Sequence, residues 1–253
     1  VKDFRCRYIF DIRDYSGILK IPGMKNRFKA VLRNSFANSI SSIGFKEWLP
    51  HGCDYVLSHN VQVESCKAGM NINVREPSNV IKILTIGAIR DFESNRRVLD
   101  GLGNNARFLL QFSGASETAL ALQKYAEEKG IRNVRFTGEY KKAEELGIVQ
   151  NCDYINILLP RNMISDYLMS NRFYLSVLCR KPMIVNEGCT QAFYVKKYGL
   201  GIVVNDGDNL EDRILEYERV FDKVRYNDGC ECFLKEVIAD EECFVERVKE
   251  FLK

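Results

Sequence analysis

Asp153 to Gly188 reads DYINILLPRNMISDYLMSNRFYLSVLCRKPMIVNEG. Its opening, Tyr154-Ile-Asn-Ile-Leu-Leu159, is the near-continuous apolar run of a strand covered on both faces, and Pro160 ends it. A polar loop comes next. Asn171-Arg172-Phe173-Tyr174 then starts an apolar helical run that closes near Cys179-Arg180-Lys181. Pro182 resets the chain, and Met183-Ile-Val185 reads as the next strand. Strand, loop, helix, strand is one crossover of a parallel sheet. Ligands of such sheets bind outside the carboxyl ends of the strands, where loops and helix N-termini gather. The loop from Pro160 to Asn171 lies there and is the first place to look for function.

The same alternation runs from Val80 onward. It predicts strands at Lys82–Ile86, Phe108–Phe112, Val134–Thr137, Tyr154–Leu159, Met183–Val185 and Ile202–Val204. Helices are predicted at Asn95–Leu102, Glu117–Lys129, Lys142–Gln150, Asn171–Cys179, Gln191–Lys197 and Leu210–Phe221. The helix after Ser116 is the clearest: Ser116 is a good N-cap, Ala119, Leu122 and Ala126 share a face, and Gly130 closes it. Strands alternating with helices in this way predict an α/β fold with a doubly wound, parallel, Rossmann-like sheet over residues 81–239. Two helical pieces close the chain, Cys232–Ile238 and Glu241–Leu252, and residues 240–253 form a separate C-terminal helix in this reading. Upstream, Tyr8–Ile12, Asn38–Ser42 and Tyr55–Leu57 read as strands, Met24–Asn34 and Gly44–Leu49 as helices. Three short strands and two helices do not enclose a core of domain size. Residues 1–60 are therefore expected to be the end of a larger α/β domain, or an appendage packed on the regular sheet. Residues 61–80 have weak periodicity and carry Gly69 and Pro77, so they read as a linker.

Of the 253 residues, 46% are hydrophobic and 28% charged, the balance of an ordinary soluble globular protein. The net charge of +3 is too small to argue for a nucleic-acid partner. No apolar run approaches the roughly 18 residues of a membrane span, and charges interrupt the start, VKDFRCRYIFDIRDYSG, so no signal peptide is read there. The nine cysteines include no C-x-x-C pair, and His51 and His59 lie far from the closest pair, Cys230 and Cys232. Free thiols in a reducing cytoplasm are expected, with Cys152, Cys179 and Cys243 on apolar faces.

Candidate site residues fall at successive strand ends. Gly87-Ala-Ile-Arg90 comes after the first strand of the regular sheet: a glycine lets a phosphate approach the backbone and an arginine can pair with it, although a solvated basic face reads the same way. Ser113-Gly114 and Thr137-Gly138-Glu139-Tyr140 occupy the same rim. Small residues there leave room for a ligand, and they are also ordinary turn residues. An arginine at a helix N-terminus, as in Asn171-Arg172, opposes the helix dipole, which suits either a ligand task or a solvated side chain. Gly101-Leu-Gly103-Asn-Asn-Ala106 has the spacing of a dinucleotide fingerprint but ends a helix, so it reads as a C-cap turn and disfavours a nicotinamide cofactor. Asp206-Gly-Asp208 reads as a turn with Asp208 capping the next helix rather than as a metal site. No metal site or Ser/His/Asp constellation is defensible. Asp11-Ile-Arg13-Asp14 ends a strand with three charges, facing a cleft or solvent.

Together, these residues resemble the C-terminal two-thirds of a bacterial glycosyltransferase of the GT-B fold, in the large retaining family four and its capsular or surface polysaccharide subgroup. The carrying segments are IFDIRDYSG, SISSIGFKEWLP and YVLSHN, then ILTIGAIRDFESNRRVLDGL, VRFTGEY, CDYINILLP, SNRFYLSVLCRKPMIV and KKYGLGIVV. The resemblance implies two Rossmann-like domains around a cleft, the first incomplete here and without the family's glycine-rich loop, and a last helix crossing back to it. It implies a nucleoside-diphosphate sugar as donor substrate, no further cofactor, and a glycan or lipid-linked acceptor. By the same resemblance Gly87 lies under the donor diphosphate, Thr137 to Tyr140 flank the base, and Ser170-Asn171-Arg172 meets phosphate and ribose, with Pro160 and Tyr174 beside them. Arg90 and Arg172 would take the charge of the leaving diphosphate. There are departures. Ala88 replaces a basic residue, Arg96 or Arg97 would stand in for a lysine, and Leu175 stands where a carboxylate usually grips the ribose. A leucine accepts no hydrogen bond. A non-catalytic glycosyltransferase-like subunit that binds a partner enzyme is therefore the alternative. A cytoplasmic location is expected, with peripheral contact at the inner membrane face through the basic stretch Lys25–Arg33.

Overall fold

The computed structural model describes residues 7–69 and 79–253, with Ile18 through its backbone alone. The first sheet holds β1 (Ile9–Ile12), β2 (Ala37–Ile40) and β3 (Val56–Leu57), all parallel and in that order. Helix α1 (Met24–Asn34) crosses from β1 to β2, and a 3-10 turn, Ile43–Glu47, leads out of β2. Their core is small: Ile12, Leu32, Ile40, Phe45 and Leu49.

The second sheet carries six parallel strands: β4 (Ile81–Ile86), β5 (Phe108–Ser113), β6 (Val134–Gly138), β7 (Tyr154–Asn156), β8 (Met183–Asn186) and β9 (Gly201–Val204). Between them run α3 (Phe92–Leu102), α4 (Glu117–Glu128), α5 (Glu145–Gln150), α6 (Asn171–Leu178), α7 (Thr190–Tyr198) and, after β9, α8 (Leu210–Val220). One face buries Leu99, Leu122 and Ile214 of α3, α4 and α8 with Phe108 and Leu110 of the sheet. The other buries Ile155, Phe173, Val177 and Val195 with Phe233 of the closing helix. Each such side chain contributes roughly 1.5–3 kcal/mol on burial. The doubly wound sheet is thus the one predicted, and each strand and helix predicted between residues 81 and 221 overlaps an observed one.

The strand order is β6-β5-β4-β7-β8-β9. The chain winds outward from β4 to β6, returns to β7 beside β4, and winds outward the other way. Loops leaving β4 and β7 diverge, and a crevice opens between them at the carboxyl edge.

Three expectations need correction. Residues 61–80 are not a plain linker: α2 (Val63–Gly69) lies within them and packs on α6 and the closing helix, α9 (Lys223–Leu252). A Cβ on Gly69 would sit 2.8 Å from Leu178 Cδ2, so α2 docks closely on α6 at that glycine. Residues 70–78 of the expected linker lie outside the described residues. The two terminal helical pieces are one helix, α9, of 30 residues. Strand β7 stops at Asn156, short of Leu159, because side-chain amides take over the ladder: Asn156 Oδ1 accepts from Leu158 N at 3.1 Å and Asn186 Oδ1 from Leu159 N at 2.8 Å. All eight described cysteines are free thiols, with Cys66, Cys152, Cys179 and Cys230 buried but Cys243 exposed. Among the described residues no helix is long and apolar enough to cross a membrane.

Candidate functional site

The crevice floor is made of backbone. Gly87 (φ +89°) donates its N–H to Ser113 O at 2.9 Å, and Gly114 donates to Gly138 O at 2.8 Å. A Cβ on Gly114 (φ +147°) would lie 2.0 Å from Gly87 O. The loops after β4, β5 and β6 therefore press edge to edge through their backbones, with Gly114 buried against Gly87. The Tyr140 hydroxyl stands beside them, 3.9 Å from where a Gly87 Cβ would be.

Buried polar groups hold these loops. Asp91 caps α3 by accepting from Ser94 N at 2.6 Å. Ser116 caps α4 and also donates its hydroxyl to Ile89 O at 2.6 Å, tying the β4 loop to the next helix. Asn156 Nδ2 reaches Thr85 Oγ1 at 2.9 Å and Asn95 Oδ1 at 3.2 Å, linking β7, β4 and α3 below the crevice. Arg90 is left exposed at the rim.

Helix α6 closes the crevice from the β7 side. Ser170 caps it by accepting from Phe173 N at 3.3 Å and donates to Gln191 Oε1 at 2.6 Å. Arg172 is half-buried and donates from Nη2 to Ala88 O at 2.7 Å. Desolvation pulls its pKa down to about 10; the Arg90 charge pushes the same way, and Tyr140 opposes both. No described carboxylate forms an ion pair with either arginine, so two neighbouring cations face a glycine-lined crevice without a counter-ion from the described chain. That arrangement suits a multiply charged oxyanion. Tyr140 is pushed up to about 12, first by burial and then by Glu145, so its hydroxyl is protonated at neutral pH and donates to Glu145 Oε1 at 3.1 Å.

The structure brings Gly87, Arg90, Gly114, Gly138, Tyr140 and Arg172 together at one rim. Glu139 is exposed beside them and Pro160 is half-buried at the start of the next loop. Other predicted residues serve differently. The Ser113 hydroxyl is fully buried and accepts from Thr137 Oγ1 and Gln111 Nε2, both at 2.9 Å, so Ser113 and Thr137 bond to each other beneath the rim. Tyr174 is 2% exposed and turned into the core, with its hydroxyl 2.9 Å from His59 Nδ1. Arg96 pairs with Glu93, and Arg97 donates to the carbonyls of Asn205 and Asp208, so neither stands in at the crevice. Asn209, not Asp208, caps α8; Asp208 instead accepts from Asn205 N at 2.9 Å. Gly103 does end α3, its N–H bonded to Leu99 O. Leu175, one turn beyond Arg172, packs half-buried in the cluster that also holds Tyr140 and Ile148.

The first sheet faces the same space. Ser42 donates its hydroxyl to Tyr167 O, Asn60 Nδ2 donates to Asn171 Oδ1 at 2.6 Å, and a Cβ on Gly44 would meet Thr190 Oγ1 at 2.0 Å. Arg13 pairs with Asp11 at 2.8 Å and donates to Ser58 O at 3.0 Å, so those charges largely neutralise each other at the sheet edge. His59 joins Tyr174 to Asp240 of α9, with Nε2 2.9 Å from Oδ2. Gly44, His59 and Asn60 lie in the segments SISSIGFKEWLP and YVLSHN that carry the resemblance, but their partners are distant in the chain and spacing does not reveal them; Glu145 lies in no quoted segment, although Tyr140 and Lys142 are its near neighbours.

No protein-family model matches the chain, and no curated protein matches it by sequence. Solved structures do. HepE from Anabaena in complex with UDP is similar over 97% of this chain and 73% of its own, with TM-score 0.74 at 11% identity. Sucrose-phosphate synthase from Thermosynechococcus elongatus is similar over 99% of this chain and 69% of its own, with TM-score 0.70 at 12% identity. A glycosyltransferase from Rickettsia africae is similar over 97% of this chain and 70% of its own, with TM-score 0.69 at 13% identity. The fold is the GT-B arrangement expected from the sequence: a six-stranded Rossmann-like sheet preceded by a smaller, three-stranded parallel sheet.

Proposed function

We propose that this chain binds a nucleoside-diphosphate sugar at the Gly87–Arg172 crevice and transfers its sugar to a glycan or lipid-linked acceptor in surface polysaccharide synthesis. The observation that carries the reading is the Arg90–Arg172 pair, which no described carboxylate neutralises, beside glycine backbone at the switch point of the sheet. The HepE structures, solved with UDP and with UDP-glucose, support a donor of that class on this fold. When the glycosidic bond to phosphate breaks, negative charge develops on the leaving diphosphate. Arg172, held in place, and Arg90 beside it lower the energy of that charge, the task a metal ion performs elsewhere. Ala88 O holds Arg172 in place before substrate arrives, which spares reorientation during the reaction. The acceptor enters from the first sheet, whose carboxyl edge meets the same space. The basic face of α1 suits contact with an anionic membrane at its inner surface.

The test is a calorimetric titration with UDP, GDP and their sugar conjugates. Saturable binding to one nucleotide, lost in Arg172→Ala with the fold intact, is the expected result. A folded protein that binds none refutes the donor reading and favours the non-catalytic subunit, for which the apolar packing of Leu175 is the supporting observation.

A further inference from the structure

Glu145 is a carboxylate without a structural task equal to its burial. Its side chain is only 14% exposed, yet its partners are the Tyr140 hydroxyl and Lys142, a lysine 86% exposed. A surface lysine holds a carboxylate weakly. Glu145 has no capping task either: α5 starts without a side-chain cap, and the 3-10 turn before it is closed by Glu144, which accepts from Lys141 N at 2.8 Å. Ile148 and Leu175 belong to the same apolar cluster as Tyr140, and the negative charge of Glu145 is felt at Cys179, one turn past Leu175 on α6. The geometry fixes Glu145 at the Tyr140 hydroxyl, which stands at the Gly87 end of the crevice. Through Tyr140 it is one side chain away from Gly87 and from Arg172, whose charge acts on that tyrosine.

We infer that Glu145 is the carboxylate that binds the vicinal ribose hydroxyls of the donor nucleotide. The inference rests on the donor reading above. With the diphosphate on Arg90 and Arg172, the ribose is the next group along the ligand, and Tyr140 and Glu145 are the next polar side chains along the crevice wall. An ionised carboxylate accepts from both hydroxyls of a cis diol, and an apolar wall strengthens those charge-assisted bonds. Lys142 yields its place as the diol arrives, while Tyr140 keeps its bond to Oε1. The acid thus comes from α5, and Leu175 of α6 supplies apolar wall rather than a hydrogen-bond acceptor. Glu139 is exposed and Glu144 is engaged with the backbone, so neither competes for the position.

The experiment is calorimetry on the full chain with UDP, GDP and ADP, each beside its 2′,3′-dideoxy analogue, and with pyrophosphate. Wild type is expected to bind one nucleotide about tenfold or more tighter than its dideoxy analogue, the scale of hydrogen bonds to a charged group. Glu145→Gln is expected to erase most of that difference and to leave pyrophosphate binding unchanged. A Glu145→Leu/Leu175→Glu double variant, which returns the carboxylate from α6, is expected to restore part of the discrimination. Equal affinity for a nucleotide and its dideoxy form in wild type overturns the inference, as does a Glu145→Gln loss that is the same for pyrophosphate and nucleotide. Binding of pyrophosphate but of no nucleotide overturns it while leaving the anion site standing. Binding of neither overturns the donor reading and the inference together.

Discussion

Replacing Gly114 by alanine tests whether the crevice floor is built on backbone contact. The new Cβ would lie 2.0 Å from Gly87 O, so the loops after β4 and β5 must part by about an ångström or more. At φ +147° the residue also occupies a region that only glycine enters freely. Strain of that kind costs about 1–3 kcal/mol, and overpacking a further 1–3 kcal/mol or so. A loss of about 2–6 kcal/mol lowers the melting temperature by on the order of 10 °C in a domain of this size. Gly138→Ala is the control: it sits on the same rim at φ +69° with nothing within 4 Å, and so carries only the left-handed cost of about 1–2 kcal/mol. Scanning calorimetry of both variants, followed by UDP titration, separates them. Gly114→Ala should melt well below Gly138→Ala and bind UDP poorly, because parting the loops displaces Gly87. Equal melting temperatures would refute the edge-to-edge packing of the two loops.

His59→Ala strips partners from the buried Tyr174 hydroxyl and from Asp240 at once; a loss of about 2–4 kcal/mol in urea unfolding is expected, and an unchanged midpoint would show the bridge to be idle. Arg172 gives a pH signature. Its pKa is depressed, so at neutral pH it is charged in both folded and unfolded chains; stability recovers as pH rises through about 10 toward the ordinary arginine range, while affinity for a diphosphate falls over the same window. UDP titrations from neutral pH to above that point should show a steeper loss in wild type than in Arg172→Gln, which has no charge to lose, and parallel curves would remove Arg172 from the proposed anion site.

The architecture was legible because each crossover repeats a local signal. Ser116 caps α4 and Gly130 ends it by rules that act within a few residues, and the apolar run from Tyr154 marks a strand buried on both faces. The glycines after β4, β5 and β6 were visible for the same reason. Contacts between distant segments were not. Asn227-Asp228-Gly229 carries a turn signature, yet it lies inside α9, where a Cβ on Gly229 would meet Tyr198 O at 1.9 Å; the glycine serves helix docking, not chain reversal. Tyr174 and Arg172 are two residues apart on α6, and helical geometry sends them to different sides, one to the core and one to the crevice. Sequence spacing places both near the rim, but only the packing of α6 against Phe233 and His59 decides which side chain reaches it.

That same helix shows why the two sheets work as one site. Arg172 is held at one end by Ala88 O of the second sheet's first loop. The turn before it is fixed by Ser170 on Gln191, the residue beside it by Asn60, and the turn after it by Tyr174 on His59. Asn60 and His59 both come after β3, so the first sheet sets the angle at which α6 presents its arginine. Asp240 of α9 holds His59 from behind, which makes the closing helix the brace that keeps the two sheets in register. A perturbation on the first sheet, tens of residues from the glycine rim in sequence, is therefore expected to reach the proposed anion site through the seating of α6 rather than through direct contact with a ligand.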